Sequence, residues 1–123
     1  MGDFMIENRL DQALEFANYR QTLNNQLHKL KVKTDGLLLL AEAGGKFTIN
    51  QQLICFVDFL IRDGREEAVI FDDYGSPIMI SNIKEFLKKI TSRYYEVANA
   101  TMQESYAIKK SRNVKSILDI KDE

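Results

Sequence analysis

SNIKEFLKKITSRYYEVANATMQESYAIKKSRNVKSILDI, residues 81–120, decides the architecture. Ile83, Leu87, Ile90, Tyr94, Val97 and Thr101 alternate four- and three-residue steps, which predicts one face of a long helix. Ser81 is the expected N-cap, with Glu85 one place beyond the capping-box position. Glu104 breaks the stripe before Ile108, and Lys109, Lys110, Arg112 and Lys115 turn the charge basic, ahead of a thin apolar patch at Val114, Ile117 and Leu118. A helix this long exceeds what a small domain can wrap. Its second half is therefore expected to meet a partner.

Working outward, a second long helix is expected at the N-terminal end, from about Glu7 to Val32. Leu10, Ala13, Leu14, Ala17, Leu23, Leu27 and Leu30 recur at helical steps. About 25 residues at 1.5 Å each reach nearly 40 Å. Thr34-Asp35-Gly36 is the expected stop. Leu37 to Glu42 then reads as a strand, Ala43-Gly44-Gly45-Lys46 as a turn using the glycine pair for positive φ, and Phe47-Thr48-Ile49 as the return.

Asn50 is a credible N-cap for a middle helix whose apolar face is Leu53, Ile54, Phe56, Val57, Leu60 and Ile61, with Gly64 as its left-handed stop. Cys55 sits in that pattern as an expected small core residue. Ala68-Val69-Ile70-Phe71, the turn Asp72-Asp73-Tyr74-Gly75 and Ser76-Pro77-Ile78-Met79-Ile80 make a second hairpin. The class is α+β: helix-hairpin-helix-hairpin-helix, with a small antiparallel sheet and long N- and C-terminal helices. The two hairpins are expected to pair into one sheet with the middle helix on a face. Residues 1–123 are taken as one domain, 104–123 as its protruding basic helical tail.

Composition narrows the function classes. Net charge is −1, apolar residues are 45% and charged residues 28%, so no global field selects nucleic acid or a membrane surface. No apolar run approaches the ~18 residues of a membrane span, and the N-terminal end lacks a signal peptide's basic start. The single cysteine excludes an intramolecular disulfide and fits a reducing compartment. His28 is the only histidine, and no nucleophile–base pair, metal-ligand cluster or phosphate loop is visible. Gly44-Gly45-Lys46 lacks P-loop spacing, and Asp72-Asp73 lacks further ligands and suits a turn. No catalytic residue, metal, cofactor or small-molecule substrate is therefore expected. Tyr94-Tyr95 suits a core position and its rim rather than a base-stacking platform. The basic run is either a solvated helix end, favoured by the helix dipole, or a docking tail for an acidic protein or nucleic acid. The candidate partner-binding residues are Tyr106, Ile108, Lys109, Lys110, Arg112 and Lys115. Four bases give only modest, salt-sensitive DNA affinity.

A resemblance goes further. It is carried by Ala13-Leu14-Glu15-Phe16-Ala17-Asn18-Tyr19-Arg20, Gly44-Gly45-Lys46-Phe47-Thr48-Ile49, Leu53-Ile54-Cys55-Phe56-Val57, and Glu67-Ala68-Val69-Ile70-Phe71-Asp72-Asp73 through Gly75-Ser76-Pro77-Ile78. Tyr94-Tyr95-Glu96-Val97-Ala98-Asn99 and Lys110-Ser111-Arg112-Asn113-Val114-Lys115-Ser116-Ile117 complete it. In this order the motifs resemble the small prohead core proteins of T-even-type tailed bacteriophages and their marine relatives. The resemblance implies a non-enzymatic phage assembly protein, a minor internal scaffold component of the capsid precursor. Such a protein associates with itself and with other scaffold or capsid proteins in the host cytoplasm, inside the assembling prohead. The family has no catalytic residues to carry over, and its maturation cleavage site has no persuasive copy here. Two alternatives remain: a roadblock/longin- or profilin-like dimerisation adaptor, which the hairpin order and the Asp72–Ile78 turn also resemble, or a small phage nucleic-acid accessory factor.

Overall fold

The computed structural model describes the backbone of residues 2–121 and the side chains of residues 8–111. Its element order is α1 (Gly2–Leu37), β1 (Leu39–Glu42), β2 (Gly45–Thr48), α2 (Gln51–Arg62), β3 (Ala68–Phe71), β4 (Pro77–Ile80) and α3 (Ile83–Lys121). The chain is α+β. It divides into two compact units, Lys33–Ala100 on one hand and Met1–Val32 with Thr101–Glu123 on the other.

In the unit Lys33–Ala100, local chemistry starts and stops each element. Ala43 and Gly44, at φ 51° and 84°, form the two-residue turn of the first hairpin. Two successive positive φ values match the right-handed twist of the flanking strands. Gly45 is not the second turn glycine but the first residue of β2. A Cβ there would stand 2.6 Å from Ile78 Cγ1, so this position needs glycine for close approach instead. Asn50 Oδ1 accepts from Leu53 N–H at 2.8 Å and starts α2. Gly64, at φ 83°, ends it, with Gly64 N–H donating to Ile61 and Arg65 N–H to Leu60. The cap of α3 is Asn82 rather than Ser81. Its Oδ1 accepts from Glu85 N–H while its Nδ2 donates to the Glu85 carboxylate, so Glu85 stands in the capping-box place after all.

The first helix outruns its expected stop, continuing through Gly36 to Leu37. Leu38 N–H donates to the Thr34 carbonyl, and the distant Arg93 guanidinium donates to the Leu37 carbonyl at 3.2 Å, so one local and one distant donor satisfy two of the terminal acceptors.

The core of this unit gathers Phe47, Ile49, Val57, Leu60, Ile70, Ile80, Ile83, Phe86 and Ile90. Phe47 and Phe86 meet edge to face at 5.5 Å between ring centroids. Tyr94 packs against this cluster, and its hydroxyl accepts from Gln51 Nε2 at 3.0 Å. Cys55 is exposed, not a core residue. At 100° per residue it points about 160° away from Val57, the most buried position of α2.

The hairpins do not merge into one sheet. β1 pairs with β2 (Leu40 opposite Phe47) and β3 with β4 (Ile70 opposite Ile78), each an antiparallel pair of its own. Carboxylates take the place of a ladder between them. Asp73 N–H donates to the Lys46 carbonyl at 2.8 Å, while its Oδ1 and Oδ2 accept from Thr48 N–H at 3.0 Å and the Thr48 hydroxyl at 2.6 Å. Asp72 Oδ2 accepts from Lys46 N–H at 3.1 Å. The Lys46 and Thr48 amides of β2, which a third strand would otherwise have to satisfy, are thus satisfied by a turn.

The other unit is helical where described. Leu30 is buried and Leu23 and Leu27 half-buried, but Leu10, Leu14 and Phe16 of α1 and Met102 and Tyr106 of α3 are exposed. The Arg20 guanidinium lies 6.0 Å from the centre of the Phe16 ring.

Candidate protein interface

The residues singled out on α3 fall on two sides of the helix. Tyr106, 67% exposed, and the exposed Lys109 and Lys110 stand at three- and four-residue spacing on one face, with the Lys110 ammonium 6.0 Å from the Tyr106 ring centre. Met102, one turn earlier, is exposed on the same stripe. Ile108 is half-buried and does not join them. Arg112 and Lys115 lie outside the residues whose side chains are described.

A second surface was not singled out from the sequence. Between α2 and the β2–β3 region lies a shallow groove of about 310 Å³, walled by Phe47, Leu53, Phe56, Ile70 and Phe71, with Asp73 on its rim. Phe56 is 46% and Phe71 68% exposed. The signal for Phe71 was present in strand alternation. Ile70 points inward, so Val69 and Phe71 must point outward, and Met79 opposite Val69 joins them. Phe59, on the outer side of α2 with Cys55, is exposed as well.

Electrostatics sharpen this surface. Arg62 is paired with Asp58 at 2.9 Å and Arg65 with Asp63 at 3.2 Å, so both arginines of α2 and its exit already face carboxylates. Residues 66–80 carry Glu66, Glu67, Asp72 and Asp73 and no base. Asp72 stays ionised more readily than an ordinary aspartate. The Ser76 N–H lowers its pKa most; desolvation works against this, and the Lys46 and Tyr74 amides add to the lowering. Lys46, on the neighbouring strand, leans over the Tyr74 ring at 5.7 Å.

A smaller hollow of about 140 Å³ lies beside Glu42, Asn82, Glu85 and Lys89. There the Lys89 ammonium meets Glu42 at 2.8 Å, and that bond holds its pKa above the ordinary lysine value. This ion pair joins β1 to α3.

Among the described residues no three His, Cys, Asp or Glu side chains converge as metal ligands, and no helix is long and apolar enough to cross a membrane. Asp72 and Asp73 are spent on the backbone of β2 and on their own turn, where Asp72 Oδ1 accepts from Tyr74 and Ser76 N–H. No protein-family model, curated protein or solved structure matches the chain.

Proposed function

We propose that this protein is a non-enzymatic assembly protein that acts through protein–protein contacts, and specifically a minor internal scaffold component of a phage capsid precursor. The helix-hairpin-helix-hairpin-helix order serves as its frame, and the long helices carry the contacts. Support comes above all from the exposed apolar side chains Leu10, Leu14 and Phe16 on α1 and Met102 and Tyr106 on α3. Apolar groups placed this way on long helices lower the free energy of association when a partner covers them. The resemblance to prohead core proteins supplies the setting, the assembling head in the host cytoplasm, and the partners, other copies and the scaffold or capsid proteins. A profilin- or roadblock-like adaptor would use one shared sheet, whereas each hairpin here is a separate two-stranded pair.

The test is co-expression with the scaffold and shell proteins encoded beside it, followed by sedimentation of the heads. The chain is expected to co-sediment with immature heads and to be missing from DNA-filled ones. If no capsid, prohead protease or scaffold gene lies beside it, or if the chain stays at the top of the gradient, the proposal fails.

A further inference from the structure

We infer that the groove between α2 and β3 receives the basic stripe of α3 from a second copy of this chain, so that copies join head to tail. This rests on the assembly role proposed above and names the surfaces that would carry it.

The groove offers aromatic walls, Phe56 and Phe71, that stand exposed. Its neighbourhood is net acidic: Asp73 stands on the rim and residues 66–80 hold four carboxylates and no base, against Lys46 of β2 over Tyr74, while the adjacent arginines Arg62 and Arg65 are already paired. The fitting occupant presents an exposed aromatic or thioether group flanked by cations on one helix face. Met102, Tyr106, Lys109 and Lys110 are such a stripe, exposed at i, i+4, i+7 and i+8. In the sequence the basic character continues: residues 109–115 hold four bases and no acid. The two surfaces carry opposite charge, and both belong to the same chain. Nucleic acid would engage the stripe alone and would be repelled by the carboxylates around the groove. Because two different surfaces meet, the contact is heterologous. Unless its rotation closes a ring, it extends without limit, as a scaffold interior requires.

Sedimentation velocity on the full chain tests this with two complementary variants. The tail variant is Tyr106→Ser with Lys109→Ser and Lys110→Ser. The face variant is Phe71→Ser with Glu67→Gln. All five positions are exposed, so circular dichroism and thermal melting should match wild type. Wild type should grow in mass with concentration, less so in high salt. Each variant alone should lose at least tenfold in association constant. Mixed in equal amounts, they should form a one-to-one pair and nothing larger, since each retains the surface that the other lacks.

The inference is overturned if either variant still self-associates like wild type, or if the mixture stays monomeric. It is also overturned if wild type is monomeric throughout, or if the stripe binds duplex DNA and not a second copy. Association that survives both variants removes this pair of surfaces and leaves the assembly role standing. The co-sedimentation experiment decides that role separately.

Discussion

Gly45→Ala should destabilise the hairpin unit, and the geometry gives the size of the effect. The added Cβ would lie 2.6 Å from Ile78 Cγ1, 3.0 Å from Ile78 Cδ1 and 3.2 Å from Phe47 Cε2. Comfortable carbon contacts begin near 3.5 Å, so the overlap with Cγ1 is about 0.9 Å. Ile78 is β-branched and stiff at χ1, so Cγ1 cannot swing away without strain. Phe47 is fully buried against Phe86 and has no room to move. Overpacking of this kind costs about 1–3 kcal/mol. Replacing a strand glycine by alanine recovers about 0.5–1 kcal/mol of backbone entropy. The net expectation is a loss centred on about 1 kcal/mol, read from urea unfolding as a lower midpoint at unchanged slope. A double-mutant cycle isolates the cause. Ile78→Ala removes Cγ1 and Cδ1, so in that background Gly45→Ala should cost less than half as much. A Gly45→Ala protein as stable as wild type, or an equal cost in both backgrounds, would refute the claim that β2 and β4 pack too closely for a side chain.

Three further outcomes are expected from the same geometry. Asp72→Asn tests the Asp72 carboxylate, held first by the Ser76 N–H of its own turn and also by the Lys46 N–H of the other hairpin: because folding lowers the Asp72 pKa, its charge stabilises the fold above the ordinary carboxylate range and ceases to do so as pH falls through the folded value. The stability gap between wild type and Asp72→Asn should be constant near neutrality and close under acid; a gap that widens in acid contradicts the assignment. Asn50→Ala should cost about 1 kcal/mol by removing the acceptor for Leu53 N–H, while Asn50→Asp should restore most of it in chemical denaturation. Cys55, being exposed, should react fully with a maleimide in the folded protein, without denaturant; protection until unfolding would place it back in the core.

Much of the local structure was legible because it is set by neighbours in sequence. Asn50 lies three residues before Leu53 at the head of an apolar run, and Gly64 follows its last turn; both act as their types and places imply. What was hidden depends on residues far apart in the chain. Nothing local distinguishes Gly44 from Gly45; only Ile78, from another hairpin, makes one a turn residue and the other a close-approach residue. Gly36 looked like a helix stop because the Arg93 guanidinium that meets the Leu37 carbonyl comes from α3. Helix geometry by itself places two more residues. Counting 100° per residue sets Cys55 opposite Val57, and Phe86, three residues after Ile83 and four before Ile90, lies inside the stripe that a strict heptad seam left out. The candidate interface residues divide in the same way. The charge of the α3 end was visible in sequence, whereas the groove needed α2 and β3 brought side by side.

If the protein acts by association, as proposed, its fold and its association are separable by mutation. The core of the hairpin unit draws on Phe47 to Ile90 and includes none of Leu10, Leu14 or Phe16. Leu10→Gln with Leu14→Gln removes only side chains already facing water, so the melting transition of the dilute protein should move by no more than about 0.5 kcal/mol per site, the ordinary range for surface changes. If the exposed helix faces exist for contact, the same pair of substitutions should suppress incorporation into immature heads. A chain that loses thermal stability in proportion to its loss of incorporation would show those leucines to be serving the fold of the isolated protein. A chain that keeps its stability and loses incorporation would show them serving the assembly.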